Sequence, residues 1–377
     1  MARLDSPFSN GRRKLGVLAL ACMLLIAVAG FITVPVLDLF PQLENWRPFG
    51  LTISPKPGIA QNIVPHREGF GSGGNGHRGS LGCSQESPYG FTTINANTQL
   101  VAAYRALNVC WVRLQVHEAD IQTAPGVYDW SQVDTAVALL NAAGIHIDFP
   151  IQCFGGSCFS NPVLPTVEQM TQYATALASR YDGKHGHGTI DAFEIGNEEY
   201  DFFPPSAYGP LLEAGYQAVK AAYPAALVGS YGVYRSYLPH VLAVMNTLAN
   251  GYSKYFDFVN FHYYAHGGDP RISASDHLSF NAEWQAIHAT LPTKPIWVTE
   301  VGWTTTPLAG IQPVSPQTQA TYLQYVTQAA ATSGVVQRIF WFTIDYGNQG
   351  DTIYPPGGPL PAYYMLQRFI QQTPQWN

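Results

Sequence analysis

Short apolar runs alternate with longer amphipathic segments from about residue 80 to the C-terminus. The apolar runs have the length of strands, and the longer segments repeat apolar residues at the three- to four-residue spacing of helices. We predict strands at residues 80–84, 110–116, 145–151, 190–195, 226–230, 256–262, 295–299 and 338–343. We predict helices at residues 98–107, 131–143, 166–180, 207–222, 237–248, 280–291, 316–331 and 361–371. Each predicted strand is therefore followed by one predicted helix.

This regular alternation predicts an α/β fold, the (β/α)8 or TIM barrel. The strands are near-continuous apolar runs, which is typical of parallel sheets that are covered on both faces. A doubly wound open sheet is the alternative. It is disfavoured because no Gly-rich phosphate loop follows the first predicted strand.

The chain before residue 80 lacks the alternation. Arg12, Arg13 and Lys14 precede a charge-free, mostly apolar run at residues 15–37, an order that is typical of export. The run is long enough to span a bilayer as an uncleaved anchor, whereas the stretch Ala27-Val28-Ala29 is typical of a signal cleavage site. Apolar residues continue past that site, which favours the anchor. We predict residues 1–37 as a signal peptide or signal anchor, 38–79 as a Gly/Pro-rich linker, and 80–377 as the barrel, lying outside the cell or on its surface.

Four cysteines follow the apolar run, an even number that suits an exported chain. Cys153 and Cys158 are separated by a short Gly-containing loop, so we predict a local disulfide between them. Cys83 and Cys110 are candidates for a second bridge. Because Cys110 lies in an apolar stretch, a buried free thiol is the alternative for it.

Composition narrows the class of partner. Charged residues make up 12% of the chain, aromatic residues 13%, and the formal net charge is −6. The only basic run is residues 12–14, so nothing resembles a nucleic-acid-binding surface. His185 and His187 lie in a Gly-rich stretch that is more typical of a solvated loop than of a metal site. An uncharged carbohydrate is the predicted partner, with no metal and no cofactor.

Two polar clusters follow apolar strands, where the active sites of such barrels lie. The fourth predicted strand leads into Asn197-Glu198, and the seventh leads into Glu300. Cleavage of a glycosidic bond needs one carboxylic acid to protonate the leaving oxygen and a second carboxylate to attack or stabilise the anomeric carbon. Glu198 and Glu300 could supply this pair, because the ends of barrel strands meet around one mouth.

The motifs resemble a known group, the large clan of retaining (β/α)8 glycosidases, and in parts its families 5 and 39. The resemblance runs from about residue 81 to the C-terminus and rests on Asn197-Glu198, on Thr299-Glu300-Val301-Gly302-Trp303 and on their strand order. It implies that Glu198 is the acid/base and Glu300 the nucleophile. It further implies a set of residues around the sugar, namely Arg113 supporting the nucleophile, Asn197, His262 and Tyr264 after the sixth strand, Trp303, and Trp341 as the floor of the sugar site.

Some assignments keep an alternative. Glu194 is better explained as a partner of Arg113, and Glu199 as a loop carboxylate that faces solvent or an outer subsite. His262 could be a hydrogen-bonded core histidine. The resemblance implies retaining hydrolysis of O-glycosidic bonds, β-linked, in an extracellular oligo- or polysaccharide. The alternatives are a transglycosylase acting on envelope glycan and a catalytically silent, carbohydrate-binding barrel.

Overall fold

Eight parallel strands form the centre of the molecule, as seen in a computed structural model that describes residues 83–155, 158, 161–308, 311–344, 350–355 and 357–376. A two-stranded antiparallel hairpin, β3 and β4, is inserted after the second strand. In chain order the strands are β1 (Tyr89–Thr93), β2 (Trp111–Leu114), β3 (Gln122–Ala124), β4 (Val127–Tyr128), β5 (His146–Ile151), β6 (Ala192–Ile195), β7 (Leu227–Gly229), β8 (Val259–Tyr263), β9 (Ile296–Val301) and β10 (Val336–Trp341).

The sheet closes on itself. Its order is β7-β6-β5-β2-β1-β10-β9-β8, so β7 and β8 are its two ends. The Ser230 amide donates to the Phe258 carbonyl at 3.3 Å, and parallel bridges join Gly229 to Phe258 and Val233 to Phe261. These contacts pair the two ends, and the predicted (β/α)8 barrel is confirmed.

Helices cover the outside of the barrel. They are α1 (Thr98–Leu107), α2 (Glu118–Ile121), α3 (Ser131–Ala142), α4 (Val167–Arg180), α5 (Pro205–Ala222), α6 (Leu238–Thr247), α7 (Phe280–Thr290), α8 (Pro316–Thr332) and α9 (Pro361–Gln372). Several begin at side-chain caps that the sequence supplies: Asn97 caps α1, Ser315 caps α8, and Thr166 forms a capping box with Gln169 at α4. The caps explain why the predicted helix starts lie close to the observed ones.

The first strand was predicted in the wrong place. Residues 83 and 84 belong to no strand, and β1 is formed by the segment Tyr89–Thr93. All five of its residues are buried, and its aromatic and β-branched side chains suit a pleated, covered surface. Cys83 is instead tied by a disulfide to Cys110, just before β2. Helix α2, the β3–β4 hairpin and a 3₁₀ helix at Glu198–Phe202 were not predicted.

Both candidate disulfides are present. The Cα atoms of Cys153 and Cys158 are 5.2 Å apart, and those of Cys83 and Cys110 are 5.1 Å apart. Both distances lie in the range that a disulfide needs. The alternative of a free thiol at Cys110 is therefore wrong.

Across the described residues, no helix is both long and apolar enough to cross a membrane. The predicted signal or anchor at residues 15–37 and the linker at 38–79 lie outside the described residues, so both remain predictions.

Candidate active site

A cavity of about 410 Å³ opens at the carboxyl ends of the barrel strands. Residues that follow β2, β5, β6, β8 and β9 line it, among them Gln115, Gln152, Glu198, Tyr264 and Trp303. Glu198 and Glu300 both line this cavity, so the two predicted carboxylates meet in one site.

Glu300 points into the cavity from β9, beside an irregularity in that strand. Phe261 and His262 are consecutive in β8, yet they pair with Val298 and Glu300, so Thr299 is an extra residue in β9. Such a bulge bends a strand and can redirect a side chain next to an active site. Thr299 is held in the barrel interior, where Asn260 donates to its hydroxyl at 3.3 Å.

Three donors hold the Glu300 carboxylate. Arg113 donates to its Oε1 at 2.6 Å, Gln115 donates to the same oxygen, and the Tyr264 hydroxyl donates to its Oε2 at 2.6 Å. Burial raises the pKa of Glu300, but the Arg113 guanidinium and the Tyr264 hydrogen bond oppose that rise. These contacts favour the ionised carboxylate that a nucleophile requires.

Glu198 has a different environment. Gly196, in the left-handed region at φ +105°, makes the turn between β6 and the 3₁₀ helix, and a Cβ there would meet the Tyr200 ring at 2.5 Å. Glu198 is the first residue of that 3₁₀ helix, and its Oε1 lies 2.6 Å from His262 Nδ1. Burial, and then the negative charge of Asp201, raise the pKa of Glu198 to about 8. Glu198 is therefore protonated at neutral pH, as a general acid must be.

The two carboxylates approach each other closely. One oxygen of Glu198, one oxygen of Glu300 and a ring nitrogen of His262 all lie within 4.8 Å of one another. The same three atoms are close enough to bind one metal ion, but the Arg113 cation bonded to Glu300 would oppose a second cation there. A second such group, formed by His117, Cys153 and Cys158, has its two sulfurs in a disulfide.

Arg113 lies beneath the cavity and does not line it. Its guanidinium is fully buried and forms two hydrogen bonds to Glu194, at 2.9 and 2.7 Å, in addition to the one to Glu300. Burial opposes its charge, but Glu194 and Glu300 outweigh that effect and raise the pKa of Arg113. Glu194 is thus the structural partner that the sequence suggested, and Arg113 holds Glu300 from below rather than lining the cavity.

Asn197 lines the cavity and is oriented by Arg113, which donates to its Oδ1 at 2.8 Å. Its amide NH₂ group is therefore the part that is free to act as a donor.

His262 is fully buried, and burial lowers its pKa to about 4, so the ring is neutral. Its Nε2 has no hydrogen-bond partner and lies against Gly232, where a Cβ would be 2.2 Å from it. His262 therefore contacts Glu198 through Nδ1 alone.

The prediction that Trp341 forms the floor of the site is wrong. Trp341 is fully buried outside the cavity, where its indole N–H donates to Thr327 in α8 at 3.1 Å and its ring stacks on Tyr89. Phe342 lines the cavity instead. Trp303 does line it, with its indole N–H donating to the Gly268 carbonyl at 3.0 Å.

The predicted position of Glu199 is also wrong. It is 2% exposed, and its Oε1 accepts the Cys153 amide at 3.1 Å, so it faces neither solvent nor an outer subsite. Burial raises its pKa to about 7. Glu199 therefore anchors the disulfide loop to the 3₁₀ helix that carries Glu198.

Several lining residues escaped prediction. Gln115 could have been found, because it lies two residues after Arg113 and so shares its side of the strand. Tyr234, His266, Phe342 and Asp351 lie in loops after β7, β8 and β10, where no strand pattern places them. Asp351 adds a third carboxyl to the cavity, and burial, with the charge of Glu300, raises its pKa to about 7.

Comparison with known proteins agrees with this geometry. Residues 207–355, which include Glu300, match the family described as the glycosyl hydrolase catalytic core. The match covers less than half of the chain, so it shows similarity to this family over that segment. No curated protein sequence matches it.

Three solved structures with a similar fold are glycosidases by name. A family 39 glycoside hydrolase from Bacteroides cellulosilyticus WH2 has a TM-score of 0.58 at 19% identity, over 75% of this chain and 63% of that one. A glucosidase from Croceicoccus marinus has a TM-score of 0.57 at 16% identity, over 76% of this chain and 67% of that one. A GH113 β-1,4-mannanase has a TM-score of 0.53 at 12% identity, over 76% and 97%. This chain thus spans less than two thirds of the family 39 enzyme, and at these identities the likeness is one of fold.

Proposed function

We propose that this protein is a retaining glycoside hydrolase that acts outside the cell on β-linked sugars of an oligo- or polysaccharide. The observation that carries the proposal is the pair of carboxylates, with one oxygen of Glu198 and one of Glu300 within 4.8 Å of each other. Retaining enzymes hold their two carboxyl groups roughly 5 to 5.5 Å apart, whereas inverting enzymes need roughly 6.5 to 9.5 Å to admit a water molecule. The approach of one oxygen from each group to within 4.8 Å supports the retaining reaction.

The different surroundings of the two acids assign their roles. Glu198, with its pKa raised to about 8, donates a proton to the glycosidic oxygen as the bond to the leaving group breaks. Glu300, ionised by its contacts with Arg113 and Tyr264, attacks the anomeric carbon and forms a covalent glycosyl-enzyme. Glu198 then removes a proton from water, which attacks the same carbon and releases Glu300.

The β-linkage and the location rest on other grounds. The mannanase with the same fold is a β-1,4 enzyme by name, and this supports a β-linked substrate by analogy alone. The predicted signal or anchor at residues 15–37 and the two disulfides support export.

A parallel screen tests the proposal. Wild type and Glu300→Gln are assayed against aryl and oligosaccharide α- and β-glycosides, and NMR follows the anomer formed first. We expect wild type to cleave β-glycosides with the β-anomer formed first, and Glu300→Gln to lose at least about a thousandfold in rate. An inverted first product would contradict the mechanism, and no cleavage of any glycoside would contradict the activity. Products longer than an oligosaccharide donor would instead indicate transglycosylation.

A further inference from the structure

The cavity has two walls of different character. Carboxamides that follow β2, β5 and β6 form one wall, namely Gln115, Gln152 and Asn197. Aromatic and aliphatic side chains predominate on the side of the later strands and loops, where the polar lining residues besides Glu300 are His266, Thr304 and Asp351. The aromatic and aliphatic ones are Tyr234, Tyr264, Trp303, Leu308, Ile311 and Phe342. Amide groups suit sugar hydroxyls, whereas an aliphatic wall offers a sugar no hydrogen bond.

Two apolar residues at the rim of the cavity are open to solvent. Phe202 is 48% exposed and ends the 3₁₀ helix that begins at Glu198, so it lies on the side where the leaving group is protonated. Leu308 is 47% exposed and is held by an antiparallel bridge to Ile311. Large exposed apolar side chains at a cavity mouth commonly mark a binding surface.

The remaining exposed apolar residues lie on the same face of the barrel. Nine large apolar side chains are exposed in the described part of the chain. Each lies between the carboxyl end of a barrel strand and the first turn of the helix that follows it, Val127 in the inserted β3–β4 hairpin: Val127, Val163, Val167, Phe202, Tyr237, Leu238, Ile272, Leu308 and Tyr364. Six of the nine are aliphatic and so offer the hydroxyl groups of a sugar no hydrogen bond. The face therefore suits a hydrocarbon better than a long sugar chain.

We propose that the substrate of this site is amphiphilic, a sugar whose leaving group is a hydrocarbon chain that packs against Phe202 and Leu308. The inference rests on the proposed glycosidase function and specifies its substrate class. The sugar would occupy the carboxamide side, near Asn197 and the two catalytic carboxylates. The chain would leave across the apolar rim, after its oxygen takes the proton from Glu198.

The test uses the full-length protein and methyl and hexyl β-glycosides of one sugar that wild type cleaves, below the micelle concentration of the hexyl compound. Because each added CH₂ that is buried favours binding, we expect kcat/KM to rise at least about tenfold from methyl to hexyl. In Phe202→Ser and in Leu308→Ser that ratio should fall to within about threefold, since the buried area is lost. Thermal unfolding checks the fold, which should be retained because both side chains are half exposed.

Val127→Ser is the matched control. Val127 is 56% exposed on the same face but does not line the cavity, so this variant should keep the wild-type ratio. Equal kcat/KM values for the methyl and hexyl glycosides would overturn the inference and leave the glycosidase proposal standing. A disaccharide preferred over the hexyl glycoside would overturn it as well, by assigning the rim to a second sugar. Failure to cleave any glycoside would remove both proposals together.

Discussion

Glu198 and Glu300 have the same side chain, but their neighbours in the site differ. Glu300 accepts hydrogen bonds from Arg113, Gln115 and Tyr264, whereas Glu198 faces the neutral ring of His262. Donors lower the pKa of a carboxyl group, and burial without a cation raises it. Of the two carboxyl groups, Glu198 is therefore the one that holds a proton.

The acid role of Glu198 predicts a dependence on the leaving group. Glu198→Ala should slow cleavage by about 10² to 10⁴ for poor leaving groups, which need the proton, and far less for activated aryl glycosides. Wild-type activity should fall as pH rises through about 8, because Glu198 then loses its proton. That alkaline limb should be absent when Glu198→Ala is assayed on an activated substrate. Equal losses on both substrate types would exclude the acid role.

Tyr264→Phe tests the support of the nucleophile. Its hydroxyl donates to Glu300 and helps to lower the pKa of that carboxyl, so its removal should raise the pKa and move the acidic limb of kcat/KM to higher pH. A hydrogen bond to a charged group is worth about 1.5 to 3 kcal/mol, so kcat/KM should fall roughly 10- to 100-fold. Tyr234→Phe, which alters a neighbouring ring 5.9 Å away, should leave the acidic limb in place. An unmoved limb in Tyr264→Phe would argue against this role.

How well a site residue could be predicted depends on the secondary-structure element in which it lies. Glu198, Glu300 and Arg113 follow from the sequence because each lies in or just after a strand of the barrel, where the fold fixes the direction of the side chain. Trp341 was misjudged because it faces outward from β10, toward Thr327 in α8, whereas the next residue, Phe342, faces the cavity. Neighbouring residues at a strand end alternate in side, and a slip of one residue in the assignment exchanges the two.

Glu199 was missed for a related reason. It follows Glu198 directly, but the 3₁₀ helix turns it inward, toward the amide of Cys153. Local sequence marks it as polar and gives no sign of that turn. Loop residues such as His266 and Asp351 were missed because their positions depend on long-range packing.

The buried Glu199 predicts a pH effect on stability. Its pKa is raised to about 7 in the folded protein, so folding favours the protonated form. The folded state then binds more protons than the unfolded state above the ordinary glutamate pKa, and stability falls as pH rises toward 7. Glu199→Gln should remove this loss and raise the free energy of unfolding at pH 8.5 by about 1 to 3 kcal/mol, with little gain at pH 5. Chemical denaturation at both pH values measures it, and an equal effect at both would refute the assignment.

At the scale of the whole molecule, chemistry and exposed apolar surface share one face. The cavity and the exposed apolar side chains lie at the carboxyl ends of the strands, while Lys184, Lys220, Lys254 and Lys294 lie in segments that lead into the strands. The sequence pattern predicted the barrel and the site at this face. It did not predict the apolar rim, because the exposure of those side chains depends on how the loops pack.

Export of the protein can be tested through the state of its cysteines. Protein recovered from the cell surface or the medium should contain the Cys153–Cys158 and Cys83–Cys110 bridges, because both pairs lie within disulfide distance and an oxidising compartment retains them. Mass analysis of peptides without reduction measures this. Free thiols at those positions would contradict both the bridges and the proposed location.

The most direct test of the central claim is covalent labelling of the nucleophile. A 2-deoxy-2-fluoro glycoside of the sugar that wild type cleaves slows the second step and lets the glycosyl-enzyme accumulate. We expect one labelled peptide, containing Trp297-Val298-Thr299-Glu300, and no label on Glu300→Gln. A label on another residue, or none while cleavage gives an inverted first product, would contradict Glu300 as the nucleophile and the retaining mechanism with it.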